Sequence, residues 1–353
     1  MKGIFLLLIL ACFASMGIVR TEPLIIDHDC TNLSVIPMNW IDSVQAKCRL
    51  HYAHTSHGQQ LLTGVERIEL DDERYSVNVG YCELPTEAGA FRIFNGQESS
   101  IGDYITPDLY WQTHDGMNYT RDVLHYNPTI NYSMWCWCTQ LDSYTESDVQ
   151  EYLDSMQSLE AEFPLVQFIY FIGNAQATDA DGWNRNERAI QIRNFCISNN
   201  KVLYDFADLD SWFDGEQHTY TYGGDIVPAE HPHYYGDESD HTTFESCENK
   251  GRAFWWMMAC LVGCPVIPGV FEGTNATPTV FSITTFPNPF NSSCKIVAPE
   301  NSRIEIFDLK GNKVADISGT SMWKPAENLH SGIYSIKAFS GNCVAISKVA
   351  FIK

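Results

Sequence analysis

The chain has 353 residues, of which 44% are hydrophobic and 13% aromatic, enough apolar material for one sizeable domain and a smaller one. A formal charge of −22 excludes a basic face of the kind a phosphate backbone requires, so no nucleic-acid partner is expected. The acidity reads instead as a soluble, self-repelling exterior.

Met1-Lys2-Gly3, the apolar run Ile4 to Phe13 and the small residues Ala14, Ser15 and Gly17 read as a cleaved signal peptide over 1–21. The run is too short to span a bilayer, and no later stretch is long enough for a transmembrane segment. Ile9-Leu10-Ala11-Cys12 is a loose lipobox and leaves lipidation at Cys12 as an alternative. Twelve cysteines suit an oxidising compartment and predict disulfide bonding. Cys136-Trp137-Cys138 and the pair Cys260 and Cys264 lack a second half at metal spacing, so buried or disulfide-bonded cysteine is expected there and no metal or other cofactor.

Past the signal, Pro37 to Ala46 reads as a helix and Arg49 to His54 as a first strand, followed by a helix that begins just after Ser56. A polar stretch, Glu66 to Gly89, is read as irregular. Phe91 to Phe94 is a second strand and Gly96 to Asn118 a long loop with Gly102, Tyr104, Tyr110 and Trp111. A helix follows from Tyr119 to Tyr126, capped by Asn118, then a strand from Thr129 to Trp135. Glu146 to Glu162 has apolar residues at helical period and stops at Pro164; Leu165 to Ile172 is a continuous apolar run typical of a strand covered on both faces. Asn186 to Ser198 is a further helix, Val202 to Phe206 a fifth strand, and Phe244 to Val262 the last helix. Asp179-Ala180-Asp181-Gly182 has its glycine too early for a calcium loop and reads as a turn. This alternation predicts an α/β, flavodoxin-like three-layer sandwich with a five-stranded parallel sheet over 22–264.

The composition shifts at a proline-rich linker, 265–284, carrying Pro265, Pro268 and Pro278 among Thr, Gly and Asn. Short alternating runs then predict a small β-sandwich over 285–353.

Two resemblances follow from particular residues. Phe286-Pro287-Asn288-Pro289-Phe290-Asn291, Ile304 to Gly311, Leu329-His330-Ser331-Gly332-Ile333-Tyr334 and the closing Lys348 to Lys353 resemble the type IX secretion C-terminal sorting domain of Gram-negative bacteria. This implies handling by the type IX secretion machinery and a secreted or outer-membrane-surface location. Cys294 and Cys343 are a candidate pair within this piece.

In the main domain, Leu50-His51-Tyr52-Ala53-His54-Thr55-Ser56-His57-Gly58 resembles the nucleophile block of a divergent set of SGNH (GDSL-like) hydrolases. The resemblance implies Ser56 as nucleophile and His241 as base, with Glu238, Asp237 or Asp240 as the supporting acid. It also implies Gly102 and Gln140 as oxyanion groups beside the Ser56 backbone amide. Gln140 stands where the family has asparagine, and His57 and Asn174 are expected to line the substrate pocket. A serine hydroxyl is a poor nucleophile until an imidazole takes its proton, and pre-aimed donors must meet the charge on the tetrahedral intermediate. The expected function is a secreted serine esterase acting on a small-molecule or carbohydrate ester, with the aromatics Tyr104, Tyr110, Trp111, Tyr234 and Tyr235 near the substrate. The alternative is a non-catalytic surface module of the same fold that binds glycan or protein. Ser56 also has a plain role open to it, capping the following helix.

Overall fold

The computed structural model describes residues 22–265 and, in the C-terminal part, 284–286, 290–298, 302–308, 312–318, 321–326, 329–340 and 343–353. The stretch expected to be a signal peptide, with Cys12, nearly all of the expected linker, and the side chain of Cys343 lie outside the described residues. The chain divides into two units, Met1–Gly269 and Val270–Lys353.

The first unit is built on one sheet of seven parallel strands: β1 (Leu24–Ile26), β2 (Arg49–Ala53), β3 (Val77–Tyr81), β4 (Phe91–Asn95), β5 (Tyr132–Trp135), β6 (Gln167–Ile172) and β7 (Val202–Asp205), in the order β1-β7-β6-β5-β2-β4-β3. The sequence leads to five strands; the two extra ones are both edges. β1 has only three residues, and β3 interrupts its valines with Asn78 and Gly80 inside the stretch read as irregular. An edge strand has one neighbour and needs no continuous apolar run. The α/β class stands.

The helices are α1 (Met38–Lys47), α2 (Ser56–Asp71), α3 (His114–Tyr126), α4 (Glu146–Glu162), α5 (Asp179–Ser198), the short α6 (Phe206–Ser211) and α7 (Phe244–Leu261). α3 begins at His114, capped by the Thr113 hydroxyl rather than by Asn118. α5 begins at Asp179, so the tetrad Asp179 to Gly182 is a first helical turn. Right-handed crossovers put the connections that run toward β3 on one face and those that run toward β7 on the other. Thus α1 and α2 share a layer with α7, while α4 and α5 pack together over β6.

Two short hairpins follow α6, first β8 (Trp212–Phe213) with β9 (Glu216–Gln217), then β10 (Thr219–Tyr222) with β11 (Asp225–Pro228). They carry the chain back over the carboxyl ends of the strands toward α7.

The second unit, taken by itself, has two antiparallel sheets. One is formed by β12 (Thr284–Phe286), β13 (Cys294–Val297) and β16 (Ser321–Trp323), the other by β14 (Arg303–Phe307), β15 (Lys313–Ser318), β17 (Gly332–Ser340) and β18 (Cys343–Phe351). Phe290, Ile296, Ile304, Ile306, Trp323, Ile336 and Phe351 form its core, and β14 alternates buried with less buried positions as a strand covered on one face must.

Two features of the first unit fix α2. Gly64 of α2 and Gly251 of α7 meet backbone to backbone: a Cβ on Gly64 would stand 1.9 Å from the Cys247 carbonyl oxygen, and one on Gly251 2.6 Å from the Gly64 carbonyl carbon. Gly58 lies against β2, where a Cβ would fall 2.3 Å from the His54 Cβ, and its carbonyl accepts a 2.8 Å hydrogen bond from the Tyr52 hydroxyl. Helix α2 is thus pinned at its first turn to the strand it leaves and at its middle to α7. Behind it, Lys250 of α7 and Asp210 of α6 form a buried ion pair at 2.7 Å, with the ammonium also donating to the Ser246 hydroxyl.

Gly64→Ala is expected to destabilise the protein by roughly 1–3 kcal/mol, because neither backbone can yield, and urea unfolding of the variant measures it. Lys250→Met should cost more, about 3–5 kcal/mol, since it leaves the Asp210 carboxylate buried without its counter-charge.

Candidate functional site

In an open parallel sheet the ligand crevice opens outside the carboxyl ends of adjacent strands whose following connections run in opposite directions. Here those strands are β2, which leads toward β3, and β5, which leads toward β6. The residues that leave their ends are Thr55-Ser56-His57 and Cys136-Trp137-Cys138.

Ser56 and His57 are the first two residues of α2, so their backbone amides have no intrahelical acceptor and lie at the positive end of the helix. Ser56 Oγ stands 3.5 Å from Cys138 Sγ. His57, 4% exposed, is closer still, with Nδ1 2.9 Å from the same sulfur and Nε2 donating to Gln176 Oε1 at 2.8 Å. Burial pushes the Cys138 thiol up, but the hydrogen bond and charge of His57, with help from the Ser56 and Thr55 hydroxyls, outweigh it and bring the thiol down to about 6. Burial pulls His57 down, and its hydrogen bond and charge interaction with Cys138 more than reverse this, so the imidazole rises above its ordinary value. The two shifts run in the directions that favour one coupled event, movement of a proton from sulfur to ring.

The backbone that presents Cys138 is held by its neighbours. Its amide donates to Gln140 Oε1 at 2.8 Å, and its carbonyl accepts from Asn174 Nδ2 at 2.9 Å. Beneath it Trp137 packs on Trp135, Trp111 and Tyr152, with ring centroids 5.0, 5.6 and 4.8 Å away. Cys136, one alternation back, is fully buried and its thiol is pushed far up by desolvation.

The expected site residues divide accordingly. Ser56 and His57 are in the cluster. His241 is beside it, its ring centroid 4.9 Å from that of His57, but the ring faces solvent and no carboxylate among the described residues hydrogen-bonds to it. Its carbonyl is what the site uses, accepting from Gln176 Nε2 at 2.7 Å. Asp240 and His241 both have left-handed backbone, φ +47° and +74°, which turns that carbonyl inward. Glu238 accepts from the Phe244 amide and so caps α7; Asp240 accepts from the Ser239 hydroxyl; Asp237 is exposed. Gly102, at φ +95°, has its amide bonded to the Glu98 carbonyl within its own turn. Gln140 and Asn174 hold the Cys138 loop, as described. His51 is a core residue held neutral, burial lowering it to about 4, with hydrogen bonds to Ser133 and the Gly96 carbonyl.

Two further expectations need correction. Tyr110, Trp111 and Tyr234 are buried, so only Tyr104 and Tyr235 of the five aromatics present an exposed ring. Cys30, Cys48, Cys82, Cys136, Cys138, Cys196 and Cys247 all carry free thiols, contrary to the expected disulfides. The residues the sequence reading missed are Cys138, Gln176 and Glu230. The signal available for Cys138 was its position three residues past the end of β5, beside a strand, β2, that is followed at once by Ser56-His57.

Comparison with known proteins identifies the second unit. Residues 284–353 match the family described as Secretion system C-terminal sorting domain, so the chain carries such a domain. A search of curated proteins finds no match. Among solved structures, PorZ, a surface component of the type-IX secretion system of Porphyromonas gingivalis, is 18% identical over 20% of this chain and 11% of its own, with a TM-score of 0.19. Endo-beta-1,4-mannanases from Cellulomonas fimi and Thermotoga petrophila are each 7% identical, over 66% and 64% of this chain and 50% and 47% of theirs, with TM-scores of 0.20 and 0.17. The chain spans less than two thirds of the length of each of these proteins. At such TM-scores the likenesses carry no argument about fold or activity. Among the described residues no helix is long and apolar enough to cross a membrane, and no cluster of His, Cys, Asp and Glu is arranged to hold a metal.

Alkylation of Cys138 by iodoacetamide, followed by peptide mass spectrometry across pH 4–10, should inflect near pH 6. His57→Asn should move the inflection up toward the ordinary range of a cysteine thiol.

Proposed function

We propose that the first unit is an exported hydrolase that cleaves ester bonds by acyl transfer through Cys138. The single observation that carries this is the 2.9 Å contact between Cys138 Sγ and His57 Nδ1 at the mouth of the crevice between β2 and β5. A thiolate held by an imidazolium is a ready nucleophile, and the imidazolium is a ready acid. The sulfur attacks the ester carbonyl and forms the thioester, while the departing alkoxide takes the proton from His57 Nδ1. Water then gives its proton back to His57 as it attacks the thioester, releasing the carboxylic acid and restoring the pair. The first-turn amides of α2 lie at the positive end of that helix, suited to charge on the carbonyl oxygen. Tyr104, exposed and bridged to His54 two residues before Ser56, offers a flat face for a sugar ring, which favours an ester on a carbohydrate. Delivery falls to the sorting domain, which we assign to the type IX machinery.

The SGNH-like reading, with Ser56 as nucleophile, has one observation in its favour: Ser56 Oγ shares the pocket with the sulfur at 3.5 Å. The two readings separate on p-nitrophenyl acetate. With Cys138 as nucleophile, Cys138→Ala abolishes turnover and the acyl group is found on Cys138 by mass spectrometry. Ser56→Ala then costs about tenfold or less, the effect of one hydrogen bond to a charged group. His241→Asn, which tolerates the left-handed backbone, keeps most of the activity. Full activity in Cys138→Ala would overturn the assignment, and no turnover or acyl adduct in the parent protein would favour a binding module instead.

A further inference from the structure

His57 can serve Cys138 only if its ring is held with Nδ1 toward the sulfur and with the proton on the far nitrogen when neutral. That choice is made by Gln176, whose Oε1 accepts from His57 Nε2. An amide side chain can turn over and exchange oxygen for nitrogen, which would aim a donor at His57 and reverse the ring's protonation preference. What prevents the exchange lies on the other side of the amide. Gln176 Nε2 donates to the His241 carbonyl at 2.7 Å and to Glu230 Oε1 at 3.2 Å, both acceptors that an inverted amide would meet with its oxygen. The Gln176 backbone is fixed as well, its amide donating to Asn174 Oδ1 at 3.0 Å.

Glu230 is built into this position. It is 6% exposed, its amide donates to the Ala175 carbonyl at 2.8 Å, its carbonyl accepts from His218, and its Oε1 also receives the Thr242 hydroxyl at 3.4 Å. Asp210 of α6 and Lys250 of α7 are the charged groups that act on it from the packed elements, and Asp210 also binds the Ala175 amide next to Gln176. A carboxyl so far from solvent carries a desolvation cost that an apolar residue would not, and its Oε1 is spent on the Gln176 and Thr242 donors.

We propose that Glu230 is a positioning residue for the thiol centre: with the His241 carbonyl it locks the Gln176 amide, and the amide in turn holds His57 with Nδ1 facing Cys138. This inference rests on the reading of Cys138 and His57 as the reactive pair, and it adds the arm behind them. The role asked of Glu230 is that of a hydrogen-bond acceptor, which glutamine fills and leucine does not.

The test is the pH dependence of Cys138 alkylation by iodoacetamide in the full chain, with circular dichroism and thermal unfolding as checks on folding. Glu230→Leu should raise the inflection by about one pH unit, which slows alkylation at pH 6 about fivefold, whereas Glu230→Gln should restore the parental profile. Gln176→Met, at a partly exposed position where misfolding is less of a threat, should raise the inflection as Glu230→Leu does. An unchanged inflection in Gln176→Met, or equal shifts in Glu230→Gln and Glu230→Leu, would overturn the proposal. An inflection near the ordinary cysteine value in the parent protein would instead sink the thiolate pair itself, so the two failures are told apart.

Discussion

The 2.9 Å contact between Cys138 and His57 is the interaction on which the candidate site depends. A lone thiol in that half-buried position would be pushed up by desolvation, and a lone imidazole pushed down, so each would rest neutral and inert. Brought to 2.9 Å, each supplies the charge that the other's burial opposes. Much of the surrounding architecture serves that distance. Strand β5 and the tryptophans under it fix the sulfur, while α2 fixes the ring, and α2 itself is fixed by a glycine against β2 and another against α7.

Those glycines show how a sequence feature far from the chemistry reaches it. Gly64 and Gly251 let two helix backbones touch, and that contact stiffens the layer from which Ser56 and His57 project. Lys250, the residue before Gly251, and Asp210 of α6 extend the same layer toward Glu230 and the Ala175 amide. The polar interior here is not an isolated salt bridge but a chain of partnered groups leading from α7 to His57 and Cys138.

Much of this was legible in the sequence, and the parts that were not have physical reasons. The parallel sheet announced itself through the apolar runs of β6 and β7 and through the alternation with amphipathic helices. β1 and β3 escaped because an edge strand does not need the composition of a central one. Ser56 stands out because a strand followed at once by a helix marks a binding edge, whereas His241 enters only through the SGNH resemblance. What periodicity cannot convey is which side chains from separate edges meet. Cys138 looked like a member of a cysteine pair, and its distance from His57 exists only once β2 and β5 lie side by side. The supporting acid was sought among Asp237, Glu238 and Asp240 by sequence proximity to His241. The carboxylate nearest the relay is Glu230, brought in by the hairpins that follow α6.

The burial of the remaining cysteines has a consequence for how the molecule ages. Cys30, Cys48, Cys136, Cys196 and Cys247 sit in the core with thiols pushed well above the ordinary range by desolvation, so they are poor targets for peroxide or thiol exchange. Cys138 alone among these free thiols combines a depressed pKa with partial exposure. Oxidative damage therefore reaches sulfenic acid at this sulfur long before it reaches the scaffold. With Cys138 as the proposed nucleophile, oxidation of that one atom would end the activity and leave the fold in place.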